Sequence, residues 1–248
     1  MGLLDGRVVL ITGAGRGIGR EHALLMASEG AKVVVNDLGG GVDGSGEDTG
    51  PAEQTAQEIR DMGGEAVANN DSVTDWEGSQ RMINAAVEAF GDLHVLVNNA
   101  GIALSVHLED DNEADLDRLW SVNVKAPLSM TRKCMPHLRG SGRGRVINIA
   151  SVAGKVVFGS GVGYSMSKFA LVAISHATRQ AAWDDGVRCT AVCPGYVATD
   201  MTSEVESTTQ DLMIKPSDIA ALVATAMELS NNASVAELIV NCRPDPTM

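Results

Sequence analysis

A doubly wound α/β fold, a parallel sheet covered by helices on both faces, is predicted by three features of the sequence. Short β-branched runs alternate with longer amphipathic stretches along the whole chain. The runs are continuously apolar rather than alternating, as strands buried on both faces require. A glycine-rich turn, Thr12 to Gly19, joins the first run to the first helix. The 248 residues, 44% of them apolar, suit one domain spanning 1–248 with an ample core.

The elements follow in order. Val8–Thr12 forms the first strand and Lys32–Asp37 the second. Residues 38–50 hold six glycines and three acids and read as a flexible surface loop. A third strand is expected before Asp71. Behind Asp75, a good N-cap, Met82, Ile83, Ala86, Val87 and Phe90 recur three and four apart and mark a helix. Val95–Asn98, Val146–Ile149 and Val187–Val192 are further strands, and a helix runs from Val162 to about Asp184. Residues 196–215 are irregular and follow a strand carboxyl end, where open sheets place their ligand crevice, so they read as a short lid. Pro216 suits the first turn of the next helix. A last strand is expected in the tail from Val235 to Pro244.

Charge and composition narrow the partners. With 32 acids against 19 bases and no Lys/Arg cluster, a nucleic-acid partner is not expected. No stretch reaches the ~18 uncharged apolar residues of a membrane span. Met1–Arg7 lacks the basic start and apolar run of a secretion signal, and no peroxisomal or lipidation ending is read at the C-terminus. Cys134, Cys189, Cys193 and Cys242 form no CxxC pair and no metal spacing, so free thiols in a reducing cytoplasm are expected, with no metal.

The turn Thr12-Gly13-Ala14-Gly15-Arg16-Gly17-Ile18-Gly19 has a physical purpose. Glycines let the chain turn tightly and let phosphate oxygens approach the backbone, and the helix N-terminus offers N–H groups and partial positive charge to a pyrophosphate. Asp37 stands 18 residues after Gly19, near the ~20 expected of an acid that holds the adenosine ribose. A carboxylate there favours NAD, because the 2′-phosphate of NADP would meet like charge. Arg16 points the other way, towards NADP.

Tyr164 and Lys168 lie four apart in a helical stretch and so share one face. An ammonium beside a phenol favours phenolate, and a phenol so tuned can exchange a proton with an alcohol or ketone. Ser151, just past the strand Val146–Ile149, could hydrogen-bond the same oxygen.

In these residues the sequence resembles the classical short-chain dehydrogenases/reductases over nearly its whole length. Thr12–Gly19 is similar to the family's TGxxxGxG turn, Asn98-Asn99-Ala100-Gly101 to its NNAG motif, and Pro194-Gly195 to the PG after its sixth strand. Ser151, Tyr164, Lys168 and Asn123 match its catalytic set in order and spacing. The resemblance implies a Rossmann-like fold and B-face hydride transfer between NAD and a small alcohol or ketone. By position it makes Tyr164 the acid/base and Ser151 the group that orients the substrate oxygen. Lys168 would lower the tyrosine pKa and, with Tyr164, contact the nicotinamide ribose, while Asn123 would anchor a water. It places Gly13, Arg16, Gly17, Ile18, Gly19, Asp37, Asp71, Ser72, Asn98, Ala100, Gly101, Pro194, Gly195, Val197 and Thr199 along the cofactor. It also implies a homotetramer or homodimer, although the tail lacks the glycines of the family's tetramer-forming segment. Within the family, Asn36–Gly40 with its acidic glycine loop looks like the dehydrogenase part of peroxisomal multifunctional hydroxyacyl-CoA/17β-hydroxysteroid enzymes.

The leading expectation is therefore an NAD-dependent oxidoreductase acting on a secondary alcohol, of hydroxysteroid or 3-hydroxyacyl-CoA type. The alternatives are an NADPH-dependent 3-oxoacyl or ketone reductase and, from another class, a non-catalytic dinucleotide-binding sensor or scaffold. Ala103, Leu104, Val152, Val156, Val157 and Phe158 are the expected apolar substrate wall.

Overall fold

The computed structural model describes residues 2–157 and 161–242. Seven strands form one parallel sheet: β1 (Val8–Thr12), β2 (Lys32–Asn36), β3 (Glu65–Asn69), β4 (Val95–Asn98), β5 (Arg145–Ile149), β6 (Arg188–Pro194) and β7 (Glu237–Val240), in the order β3-β2-β1-β4-β5-β6-β7. The helices α1 (Gly17–Ser28), α2 (Gly50–Asp61), α3 (Trp76–Phe90), α4 (Glu113–Trp120), α5 (Ala126–Gly140), α6 (Val162–Ala181) and α7 (Pro216–Glu228) fill the crossovers.

Strand periodicity builds two cores. Val9, Ile11, Val33 and Val35 face one side and pack with Met26 of α1, Ile59 of α2 and Val223 of α7. Val8, Leu10, Val34 and Leu96 face the other and meet Met82 of α3 and Met130 of α5. Both faces are covered, which explains the unbroken apolar runs. Val9 pairs with Val33 on one side and Val95 on the other, so β1 is the centre from which the chain winds outward in both directions. The crevice beyond the carboxyl ends of β1 and β4 is therefore the topological switch point.

The expected strands are present, with ends shifted by one or two residues. Asp37 stands just past β2, β5 begins at Arg145, and β6 runs Arg188–Pro194. Asp75 caps α3, its carboxylate accepting from the Glu77 and Gly78 N–H groups. The helix expected to reach Asp184 stops at Ala181. The glycine loop ends at Gly50, where α2 starts with Pro51 in its first turn. Arg243 and Pro244 of the expected tail strand lie outside the described residues.

Candidate active site

A cleft of about 650 Å³ opens at the carboxyl edge of the sheet. Its floor is the glycine turn. Gly13 and Gly17 hold φ of 62° and 53°, in the left-handed region that favours glycine. A Cβ on Gly13 would lie 2.8 Å from Ala100 Cα, and one on Gly19 would lie 2.0 Å from the Gly13 carbonyl oxygen. Arg16, at the N-cap of α1, provides no side-chain cap, and the first turn carries no acid. The helix thus presents unsatisfied N–H groups and a positive dipole end to the cleft, a cradle that fits a pyrophosphate.

Asp37 is fixed beside the glycine turn. Its Oδ2 accepts from Gly15 N–H at 2.7 Å and its Oδ1 from Gly39 N–H at 2.7 Å. Arg16, half exposed, comes within 3.9 Å of Asp48 from the glycine loop. Asp71 and Ser72 line the same end; the Asp71 carboxylate accepts from Arg81 Nε at 2.7 Å and Asn69 Nδ2 at 2.8 Å. Gly13, Arg16, Gly17, Ile18, Ala100 and Gly101 line the cleft on one side, and Pro194, Gly195, Val197 and Thr199 on the other.

Two expected cofactor residues sit behind the wall instead. Gly19 packs helix on turn and does not line the cleft. Asn98 is buried, and its amide donates to Asn148 Oδ1 at 2.8 Å, because alternate residues of a strand point to opposite faces. Its neighbour Asn99 lines the cleft instead, donating from Nδ2 to the Thr12 and Gly13 carbonyls at 3.0 and 2.7 Å. Thr12 Oγ1 returns the tie by accepting from the Asn99 and Ala100 N–H groups. The NN pair in the sequence holds both residues but does not say which one faces the cofactor.

The catalytic candidates converge at the other end. Ser151 caps the short turn Val152–Gly154 through Ala153 N–H at 3.1 Å, and it also lines the cleft beside the Tyr164 phenol. Lys168 is buried, with Nζ donating to the Ile149 carbonyl at 3.0 Å and lying 5.5 Å from the Tyr164 ring centroid. Asn123 is buried in a π-helical turn, Ser121–Lys125, between α4 and α5. Its Oδ1 accepts from Ile102 N–H at 2.9 Å, and its Nδ2 donates to the Ile102 carbonyl at 2.9 Å and to Ser167 Oγ at 3.1 Å. Ser167, which the sequence reading did not single out, donates to the Tyr164 carbonyl at 2.7 Å and so couples Asn123 to the helix that bears Tyr164. A Cβ on Gly101 would lie 3.3 Å from Asn123 Oδ1 and 3.5 Å from Lys168 Nζ, so these two groups flank one small space.

Burial governs the electrostatics. It pushes the Tyr164 phenol up to about 12, opposed only in part by the Ser151 hydrogen bond. It brings the Lys168 ammonium down to about 8, with a smaller opposing pull from Cys193. The expected depression of Tyr164 is thus reversed: withdrawing both groups from water penalises both charges.

Of the expected substrate wall, Ala103 and Val152 line the cleft and Leu104 packs on the Ile102, Val106 and Leu119 cluster, whereas Val156 and Val157 do not line it and Phe158 lies outside the described residues. Residues 196–215 fold as two short 3₁₀ turns on a pinned base, with Ala198 N–H donating to the Ile214 carbonyl and Ile214 N–H to Tyr196. The glycine loop, read as free surface, reaches the cleft: Gly40, Val42 and Gly44 line it. No metal-ligating cluster occurs among the described residues, and no helix there is long and apolar enough to cross a membrane.

A central β1–β4 crevice with a glycine cradle and a Tyr–Lys pair at its far end defines an α/β protein of Rossmann type. The chain belongs to the short-chain dehydrogenases, whose family model, described as short chain dehydrogenase, matches residues 7–210; these are oxidoreductases acting on CH–OH groups. It is 37% identical over 241 residues to agropine synthesis reductase of Rhizobium rhizogenes, covering 95% of this chain and 52% of that protein. It is 37% identical to the peroxisomal multifunctional enzyme type 2 of Drosophila melanogaster, covering 89% of this chain and 36% of that one. The chain therefore spans about half or less of the length of these relatives. A solved 7α-hydroxysteroid dehydrogenase, complexed with NADH and 7-oxo glycochenodeoxycholic acid, superposes with a TM-score of 0.81 at 28% identity, covering 96% of this chain and 93% of that one.

Proposed function

We propose that the protein is an NAD-dependent oxidoreductase that interconverts a secondary alcohol and a ketone, using Tyr164, Ser151, Lys168 and Asn123. The carrying observation is the convergence of Ser151, Tyr164 and Lys168 on one cleft that also holds the uncapped N-terminus of α1. NAD, when bound, supplies a hydride acceptor. Tyr164 takes the hydroxyl proton of the alcohol, or returns it to the ketone. Ser151 hydrogen-bonds the same oxygen, and Lys168 stabilises the phenolate. Asn123 holds the Ile102 backbone and the Tyr164-bearing helix in register. The test is NADH formation across a panel of secondary alcohols; cofactor binding without turnover on any of them would favour the sensor or scaffold reading.

Asp37 supports NAD over NADP, and Arg16 is drawn towards Asp48 rather than standing free for a 2′-phosphate. Asp37→Asn keeps an acceptor for Gly15 or Gly39 but removes the charge. The ratio of NADPH to NADH dissociation constants is expected to shrink by about tenfold, or roughly 1.4 kcal/mol. An unchanged ratio counts against the assignment.

Lys168 Nζ lies 5.5 Å from the Tyr164 ring centroid, near enough for the two groups to share one proton in this reading. The first proton leaves near the lowered value of Lys168, about 8, and the phenolate–ammonium arrangement of the remaining proton is the competent base. Alcohol oxidation is therefore expected to rise with pH through that value and level off, while ketone reduction, which needs the proton, falls over the same interval. A flat kcat/KM profile, measured where a deuterated alcohol shows a full isotope effect, contradicts this assignment.

A further inference from the structure

Charge is distributed very unevenly around the cleft. The glycine loop, residues 38–49, carries Asp43, Glu47 and Asp48 and no base. Residues 103–118 carry six acids against Arg118, and the lid, residues 196–215, carries four acids against Lys215. Together these three segments hold thirteen carboxylates and two bases, a net −11 out of the chain's −13. All three border the cleft. Val42 lines it from the glycine loop, Ala103 from the second segment, and Asp200, Met201 and Val205 from the lid. Apart from Asp48, Asp115 and Asp43, the last drawn by the charge of Arg118, none of these acids has an ion-pair partner among the described residues.

Three of the bases near the cleft, Arg118, Arg16 and Lys168, are engaged or buried, and Lys215 of the lid is exposed. Arg118 donates from Nη2 to the Asp43 carbonyl and from Nη1 to Asp115, fastening the tip of the glycine loop to α4. Ala103 N–H donating to the Val42 carbonyl at 3.4 Å adds a second tie. Arg16 faces Asp48 beside the glycine turn, and Lys168 is buried beneath Tyr164. Inside the acidic rim the walls are apolar: Val42, Ile102, Ala103, Val152, Met201 and Val205.

We infer that the cleft accepts an uncharged, largely apolar secondary alcohol or ketone and rejects substrates carried on a polyanion such as coenzyme A. The inference rests on the oxidoreductase reading of the Tyr164 cleft and narrows its substrate class. A cleft bordered by segments of strong net negative charge, Asp200 among its lining, lowers the local concentration and on-rate of like-charged ligands. A coenzyme A phosphate at the mouth would meet a large excess of carboxylates over bases, whereas an apolar alcohol loses nothing to that field and gains from the walls.

Two matched pairs test this. One 3-hydroxyacyl chain is presented as its coenzyme A thioester and as its neutral N-acetylcysteamine thioester. A neutral hydroxysteroid is compared with the same steroid bearing a sulfate far from the reacting carbinol. At low ionic strength, kcat/KM for NAD reduction is expected to be about tenfold or more higher for the neutral member. The gap should narrow as salt rises. Replacing Glu204 and Glu206 by Gln should also narrow it. Equal or better use of the charged members, or a gap indifferent to salt, overturns the inference. Calorimetric binding of the same ligands to the Tyr164→Phe protein gives an order that needs no turnover. Tighter binding of the charged members, or binding of neither neutral one, overturns it as well. Failure of the oxidoreductase reading is distinct: no alcohol in any panel forms NADH, while the binding order is still measured.

Discussion

Tyr164→Phe is expected to lower kcat by about a thousandfold, within the range that a positioned acid/base contributes, while leaving NADH affinity nearly intact. The substitution removes one oxygen and keeps the ring, so its packing against the cluster of Ile102, Val106 and Leu119 is retained. What disappears is the group that exchanges a proton with the substrate oxygen to which Ser151 also hydrogen-bonds. Lys168 cannot substitute, because its Nζ is buried and tied to the Ile149 carbonyl. Two readouts separate chemistry from structure: the NADH dissociation constant and the melting temperature, both expected close to the unmodified protein. Turnover within about threefold of the unmodified protein, with both readouts unchanged, would remove Tyr164 from the mechanism.

Why some of this was legible in sequence and some was not follows from the physics of each element. The strands were legible because a parallel sheet buried on both faces demands unbroken apolar runs, and Val8–Thr12 or Val95–Asn98 admits little else. Asp75 was legible because capping is local chemistry, settled within three residues. The segment around Asn123 was not: its π-helical turn arises from tertiary ties to Ile102 and Ser167, more than twenty residues away on either side. The division of labour between Asn98 and Asn99 depends on which residue ends β4, a boundary that motif recognition leaves open. The reversal at Tyr164 has the same origin. Spacing places an ammonium beside a phenol, but only the fold determines how much water both have lost, and that loss is the largest influence on each. The glycine loop is the largest surprise. Composition marks it as free surface, whereas Arg118, some seventy residues on, draws its tip across to α4.

The second large effect is expected at Gly19, which touches neither the cleft nor the catalytic groups. Gly19→Ala places a Cβ 2.0 Å from the Gly13 carbonyl oxygen and 2.5 Å from Asn99 Nδ2, well inside contact distance. Neither neighbour can yield. The Gly13 oxygen is held by Asn99 at 2.7 Å, and Gly13 itself is packed against Ala100 in a left-handed conformation. The strain is therefore relieved by α1 moving away from β1, which carries the N–H groups of its first turn out of register with a pyrophosphate. Overpacking of this kind costs about 1–3 kcal/mol, lowering the melting temperature by roughly 2–4 °C per kcal/mol for a chain of this size. NADH affinity is expected to fall by at least about tenfold, because the first-turn amides that would hold the phosphates are displaced together. Gly140→Ala is the control, since a Cβ there meets nothing within 4 Å and its φ is not positive. That variant should keep both melting temperature and affinity. Were Gly19→Ala to match it on both measures, helix α1 would have to be mobile against β1, and the phosphate cradle would not depend on close contact at Gly19.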